Sequence, residues 1–238
     1  MSTPRQTAVL VAEALGTFLF FFVGAGAVVL GAHNPEANGG LVGVALAHGL
    51  ALVVLVSALG PISGGHFNPA VTFGVWITGR IGAGLAGLYF VAQAAGAIGA
   101  GFALRMVFPE ASWEPVALGT PAVDAGIGIA GAIGVEAILT IVLLIAVFGT
   151  AIDPRAPKLG GLVIGLAVAA DILMGGPLTG AAMNPARWLG PAVASGTYAD
   201  WYVWWIGPLL GAAVAALAYR YVLEDRGEPD VTPAEPAG

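Results

Sequence analysis

Asn68-Pro69-Ala70 and Asn184-Pro185-Ala186 are the same tripeptide 116 residues apart, with an odd number of apolar crossings between them. The likeness extends upstream. Ile62-Ser63-Gly64-Gly65-His66-Phe67 leads into the first copy as Leu178-Thr179-Gly180-Ala181-Ala182-Met183 leads into the second, and Gly74 and Gly190 fall at matching offsets. Ala12-Glu13-Ala14 and Val135-Glu136-Ala137 open corresponding segments. A motif that recurs after three crossings must stand inverted in the membrane, which is the repeat that channels and transporters build around a midplane site.

Crossing a hydrocarbon core of roughly 30 Å takes about 20 mostly apolar residues. Six segments qualify, at about 8–31, 40–60, 84–107, 126–150, 159–177 and 201–223. Charged residues are 9% of the chain and mean hydropathy is +0.90, against roughly 25% charge in soluble domains. So few charges cannot cover a water-facing surface. Arg5 ahead of an apolar run resembles a signal peptide, but the run continues to Gly31, too long for a cleaved segment. It is expected to remain as the first span. Frequent Gly and Ala in the spans suit close helix packing in lipid.

The expected fold is therefore an all-α membrane protein of six transmembrane helices plus two re-entrant half-helices. One channel domain covers 1–223, with inverted halves at about 8–107 and 126–223 and an acidic linker at about 108–125. Arg5, Arg80, Arg155, Lys158, Arg220 and Arg226 fall on the side of the termini, against Arg105 and Arg187 elsewhere. That imbalance puts both termini in the cytoplasm. Trp201, Tyr202, Trp204 and Trp205 are expected to mark an interface at the start of the last span. Residues 224–238 carry acid and Pro without apolar periodicity and read as a disordered cytoplasmic tail.

Composition also excludes function classes. Cys is absent, which removes disulfides, thiolate metal sites and cysteine nucleophiles. With three His in all, no metal or cofactor site is expected. No nucleophile–base pair can be assembled, so the chain is not read as an enzyme. There is no basic run to hold nucleic acid.

The stretches from Gly60 to Gly84 and from Gly175 to Tyr198 are apolar yet too short for two crossings, so each must enter and return. Asn at the N-cap with Pro at the first helical position is a strong helix start. Helices from Pro69 to about Thr78 and from Pro185 to about Ser195 would each be roughly 15 Å long, and two meeting tip to tip complete one span. If each Asn oxygen caps its helix, its amide N–H groups stay free to donate beside the junction, where both helix N-termini add positive potential. Gly64-Gly65-His66 and Gly180-Ala181-Ala182 would expose carbonyls along the path, since non-helical backbone at membrane depth must line a cavity or be buried. Acceptors in a row with two donors at a positive centre pass neutral polar molecules and repel cations.

On Ser63-Gly64-Gly65-His66-Phe67-Asn68-Pro69-Ala70-Val71-Thr72, Gly180-Ala181-Ala182-Met183-Asn184-Pro185-Ala186-Arg187, the paired Glu13 and Glu136, and Gln93, the chain resembles the aquaporin (major intrinsic protein) family over about 8–223. The resemblance implies one pore per protomer, a homotetramer in a lipid bilayer, and passive permeation. It places the outer constriction at His48, Ile172, Ala181 and Arg187, a set similar to that of some plant tonoplast intrinsic proteins. The function it implies is a water channel excluding protons and ions. The alternative is a multi-solute facilitator also passing ammonia, urea, hydrogen peroxide or glycerol. Trp188 after Arg187, and a filter without aromatics at Ile172 and Ala181, disfavour a dedicated glycerol channel.

Glu13 and Glu136 are costly in lipid and need partners. They are expected to accept from backbone N–H groups of the re-entrant segments, with Gln93 as a similar brace; a proton-driven transporter would instead use them as coupling acids. His33 is read as solvated, and Asp171 has no assigned role. Ala and Gly richness points to a prokaryotic plasma membrane.

Overall fold

A computed structural model describes residues 4–37, 39–157 and 159–224. The expected tail beyond Glu224 lies outside these residues. Among the described residues all regular structure is helical. Six helices are long and apolar enough to cross a membrane, between Arg5–His33, Gly40–Ser63, Ala83–Val107, Ile129–Ile152, Gly160–Thr179 and Val203–Leu223.

In chain order the elements are α1 (Pro4–His33), α2 (Gly40–Ser63), the half-helix α3 (Pro69–Ile77) and α4 (Ala83–Val107). A short α5 (Glu110–Trp113) and a tight turn of helix (Glu114–Gly119) cross between the halves. The second half repeats the first as α6 (Ile129–Val147), α7 (Gly160–Thr179), the half-helix α8 (Pro185–Ser195) and α9 (Val203–Ala218). Wide π-helical turns extend α6 to Ile152 and α9 to Leu223.

Local chemistry sets where these helices begin and end. α2 and α7 run past Pro61 and Pro177 to Ser63 and Thr179, beyond the expected 60 and 177. A proline near a helix end costs one backbone bond without stopping the helix. Gly64 (φ 92°) and Gly180 (φ 78°) then close the two helices in the left-handed conformation, donating to Gly60 O and Gly176 O. α6 starts at Ile129 rather than 126 because Asp124 forms a turn, its Oδ1 accepting from Gly126 N at 2.8 Å, a local bond that competes with helix.

α2 and α7 cross at the centre through Gly49 and Gly165. A Cβ at Gly49 would lie 2.7 Å from Gly165 O, and one at Gly165 would collide with Gly49 O. Only two glycines permit this backbone approach. Within the halves, α1 packs on α2 and α4 as α6 packs on α7 and α9. The half-helices are exchanged: α3 lies chiefly against α9 of the other half and α8 against α4. Apolar side chains such as Val54, Val91 and Ile138 are exposed on the outside, the face that meets lipid. Trp204 departs from the expected interface role. It is buried, stacked on Trp188 with ring centroids 5.8 Å apart.

Candidate pore and its constriction

Each half-helix starts as its sequence dictates. Asn68 Oδ1 accepts from Ala70 N at 2.7 Å, and Asn184 Oδ1 accepts from Ala186 N at 2.9 Å and Arg187 N at 3.3 Å. Pro69 and Pro185 follow at the first helical position. α3 and α8 are roughly 14 and 17 Å long at 1.5 Å per residue, so two N-termini face each other near mid-membrane and concentrate positive potential there.

The two tips are stitched together. Asn68 Nδ2 donates to Met183 O at 2.9 Å and Asn184 Nδ2 to Phe67 O at 3.0 Å. This corrects the expectation that both hydrogens of each amide stay free. An amide nitrogen carries two, one is spent across the junction, and one per Asn is left. The crossing bonds depend on Phe67 (φ 46°) and Met183 (φ 52°), both held in left-handed backbone that side-chain-bearing residues rarely adopt.

Two buried carboxylates hold that strained backbone. Glu13 Oε1 accepts from Ser63 Oγ at 2.7 Å and His66 N at 3.0 Å; its Oε2 accepts from Phe67 N at 2.8 Å and Gln93 Nε2 at 2.8 Å. Glu136 repeats the pattern, with Oε1 taking Thr179 Oγ1 at 2.7 Å and Ala182 N at 2.9 Å, and Oε2 taking Met183 N at 2.7 Å. The repeat partner of Gln93 is Pro208, which carries no donor, so the second carboxylate receives one bond fewer. Gln93 also donates to Thr72 Oγ1 at 2.9 Å. That oxygen also lies within hydrogen-bond distance of His66 Nδ1, at 3.0 Å.

A cavity of about 180 Å³ runs along this axis, lined by Asn68, Asn184, Gly64, Gly65, His66 and Ala182 with an apolar wall that includes Phe20, Leu143 and Val168. An outer vestibule adjoins it, lined among others by Val44, Thr120 and Gly180. His48, Ile172 and Arg187 border both spaces, and Ala181 borders the inner one. All four are buried. Arg187 spends Nε on His48 Nε2 at 3.2 Å and Nη1 on Gly119 O at 2.7 Å. Three guanidinium hydrogens remain beyond these two bonds.

Several supporting residues were not singled out from sequence. Tyr89 Oη donates to Ser63 O at 2.6 Å and Trp204 Nε1 to Thr179 O at 3.0 Å, equivalent braces in the two halves. The hydroxyl before the glycine in both repeat leaders, Ser63 and Thr179, was a legible signal. Gly119 lay in what read as a linker. His33 is not merely solvated: its Nδ1 lies 2.8 Å from Ser112 Oγ. Among the described residues no cluster could hold a metal ion. Asp171 is buried, and its Oδ2 has no hydrogen-bond partner.

The chain is similar to known proteins. The family model described as major intrinsic protein matches residues 1–219. Aquaporin TIP4-4 of Zea mays is 42% identical over 230 residues, covering 94% of this chain and 90% of its own length. Probable aquaporin TIP3-2 of Arabidopsis thaliana is 43% identical over 232 residues, covering 92% and 85%. The X-ray structure of the aquaglyceroporin from Plasmodium falciparum superposes with a TM-score of 0.80 at 25% identity, covering 92% of this chain and 97% of that one. With its doubled Asn-Pro-Ala caps and carboxylate-braced re-entrant segments, the chain belongs to the major intrinsic protein, or aquaporin, family.

Proposed function

We propose that this chain is a passive transmembrane water channel, conducting single-file water down osmotic gradients while excluding protons and ions. The observation that carries this is the junction of α3 and α8, where one N–H from each of Asn68 and Asn184 is left beside a narrow cavity at two facing helix N-termini. A water there must turn its oxygen to both Asn, which breaks the chain of similarly oriented waters that proton transfer needs. Cations meet the same positive centre and are repelled.

His48, Ile172, Ala181 and Arg187 form the selectivity constriction in this reading, and the carbonyls of Gly64, Gly65, His66, Gly180 and Ala182 replace part of the hydration of passing molecules. Glu13 and Glu136 are braces. Their oxygens are taken by hydroxyl, amide and backbone donors, which suits braces rather than the coupling acids of an active transporter. The protein is an integral multi-pass membrane protein. Both termini are assigned to the cytoplasm by the Lys/Arg asymmetry, and 1–223 to one channel domain that assembles as a homotetramer. The TIP names of the relatives favour a tonoplast-like membrane over the plasma membrane that composition had pointed to.

Stopped-flow light scattering on proteoliposomes tests this, with impermeant, glycerol and urea gradients and a pH dye. Fast water flow with low activation energy, slow solute reswelling and no proton leak is the expected result. Fast reswelling in glycerol or urea would make it a multi-solute facilitator instead.

A further inference from the structure

At the end taken as cytoplasmic, the last turn of the final described helix crosses two other elements. Tyr219 Oη donates to Asp153 Oδ2 at 2.7 Å and Arg155 Nη2 donates to Leu223 O at 3.2 Å, which ties the turn to the connection between α6 and α7. Arg220 donates to Thr78 O. Glu224 accepts from Arg80 Nη2 through both carboxylate oxygens, at 2.6 and 2.8 Å, which ties the turn to the end of α3.

These ties reach residues that border the path. Arg80 lines the central cavity, as do Ala151 and Ile152 immediately before Asp153. Arg80 follows the C-terminal end of α3, a half-helix length from the Asn junction, so it stands at the opposite end of the path from Arg187. The wall beside it is apolar, with Val75 and Val147. Glu224 holds the guanidinium at one end, and the Phe148 ring supports it 5.3 Å away. The pair is partly open to water, with side-chain exposures of 23% and 26%.

We infer that the Tyr219–Glu224 turn is a strap and Glu224 its latch, holding Arg80 off the water path; releasing the latch lets Arg80 swing across the inner mouth and throttle flow. An Arg side chain is long, always charged and rich in donors. Freed from Glu224, it finds acceptors in the carbonyl row of Gly64, Gly65 and His66. The inference rests on the water-channel reading.

The test is an epistasis measurement on the full-length protein in proteoliposomes, with osmotic water permeability normalised to incorporated protein. The wild-type trace tests the channel reading by itself, since no flow there would remove that reading before any variant is compared. E224A is expected to lower permeability about two- to fivefold, the factor available from a pair of this exposure. R80A/E224A is expected to flow as R80A does and faster than E224A, because the obstructing side chain is gone from both R80A proteins. Equal losses in R80A, E224A and the double variant would reduce the pair to a structural clamp and overturn the inference. Unchanged flow in E224A would overturn it as well. Should E224A fail to fold, E224Q and the charge-swapped R80E/E224R replace it: a loss in the first with recovery in the second supports the latch, and equal flow in both overturns it.

Discussion

Arg187 Nε donates to His48 Nε2 at 3.2 Å, while the other ring nitrogen of His48 sits 2.9 Å from Val44 O. A carbonyl only accepts, so His48 carries its hydrogen on Nδ1 and presents a lone pair to the guanidinium. Two side chains 139 positions apart therefore fix each other. With Gly119 O taking Nη1, the Arg187 guanidinium is held at the border of the two spaces.

Removing either partner should loosen the constriction. Arg187→Val takes away charge and donors together, and the urea-to-water and ammonia-to-water flux ratios are expected to rise several-fold in proteoliposomes. His48→Ala should raise them less, because Arg187 keeps Gly119 as an anchor. Unchanged ratios in Arg187→Val would take Arg187 out of the filter.

Asn184→Asp keeps an oxygen to cap α8 but loses the amide donor to Phe67 O and adds negative charge at the positive centre. Proton leak, read with a pH dye inside vesicles, is expected to rise on the order of tenfold or more, since about 1.4 kcal/mol off the barrier suffices. Water flow should persist. A tight membrane in this variant would mean that exclusion resides elsewhere along the path.

Glu136→Gln exchanges one carboxylate oxygen for a donor in a site built only of donors. Leaving Met183 N or Ala182 N buried without an acceptor costs about 1–3 kcal/mol each, so the thermal midpoint in detergent should fall markedly and flow with it. The substitution in Glu136 is expected to be the more damaging of the two carboxylate changes. Glu13→Gln has Gln93 beside it, an amide that can turn its oxygen towards the new NH₂ group. Midpoints that rank the other way would contradict this use of Gln93.

Asp153 lies just outside the fourth span, where the Arg155 guanidinium, then Tyr219 Oη, hold its carboxyl well below the usual carboxylate range. A depressed carboxyl stabilises the folded state above its ordinary value of about 3.9 and loses that contribution as pH falls below it. Wild type should therefore exceed Asp153→Asn in thermal midpoint by a constant margin from neutral pH down to about pH 5, with the margin shrinking in stronger acid. Equal midpoints of the two proteins at neutral pH would show that the pair is not formed in solution.

Much of this molecule is written in short stretches of sequence, because the physics there is local. Twenty apolar residues demand a span wherever they occur, and Asn-Pro starts a helix with bonds that reach no further than three residues. Two such starts in an inverted repeat require two half-helices that meet, so the spans, the half-helices and the facing Asn pair follow from the chain itself. Tertiary structure decided what depends on residues distant in sequence. The half-helices pack on the helices of the opposite halves, one amide hydrogen of each Asn is spent on a carbonyl of the other tip, and Trp204 is turned inward onto Thr179 O. Gly119 shows why sequence was silent there. Its role rests on a backbone carbonyl, which every residue possesses, and only the path of the connection brings that carbonyl to Arg187.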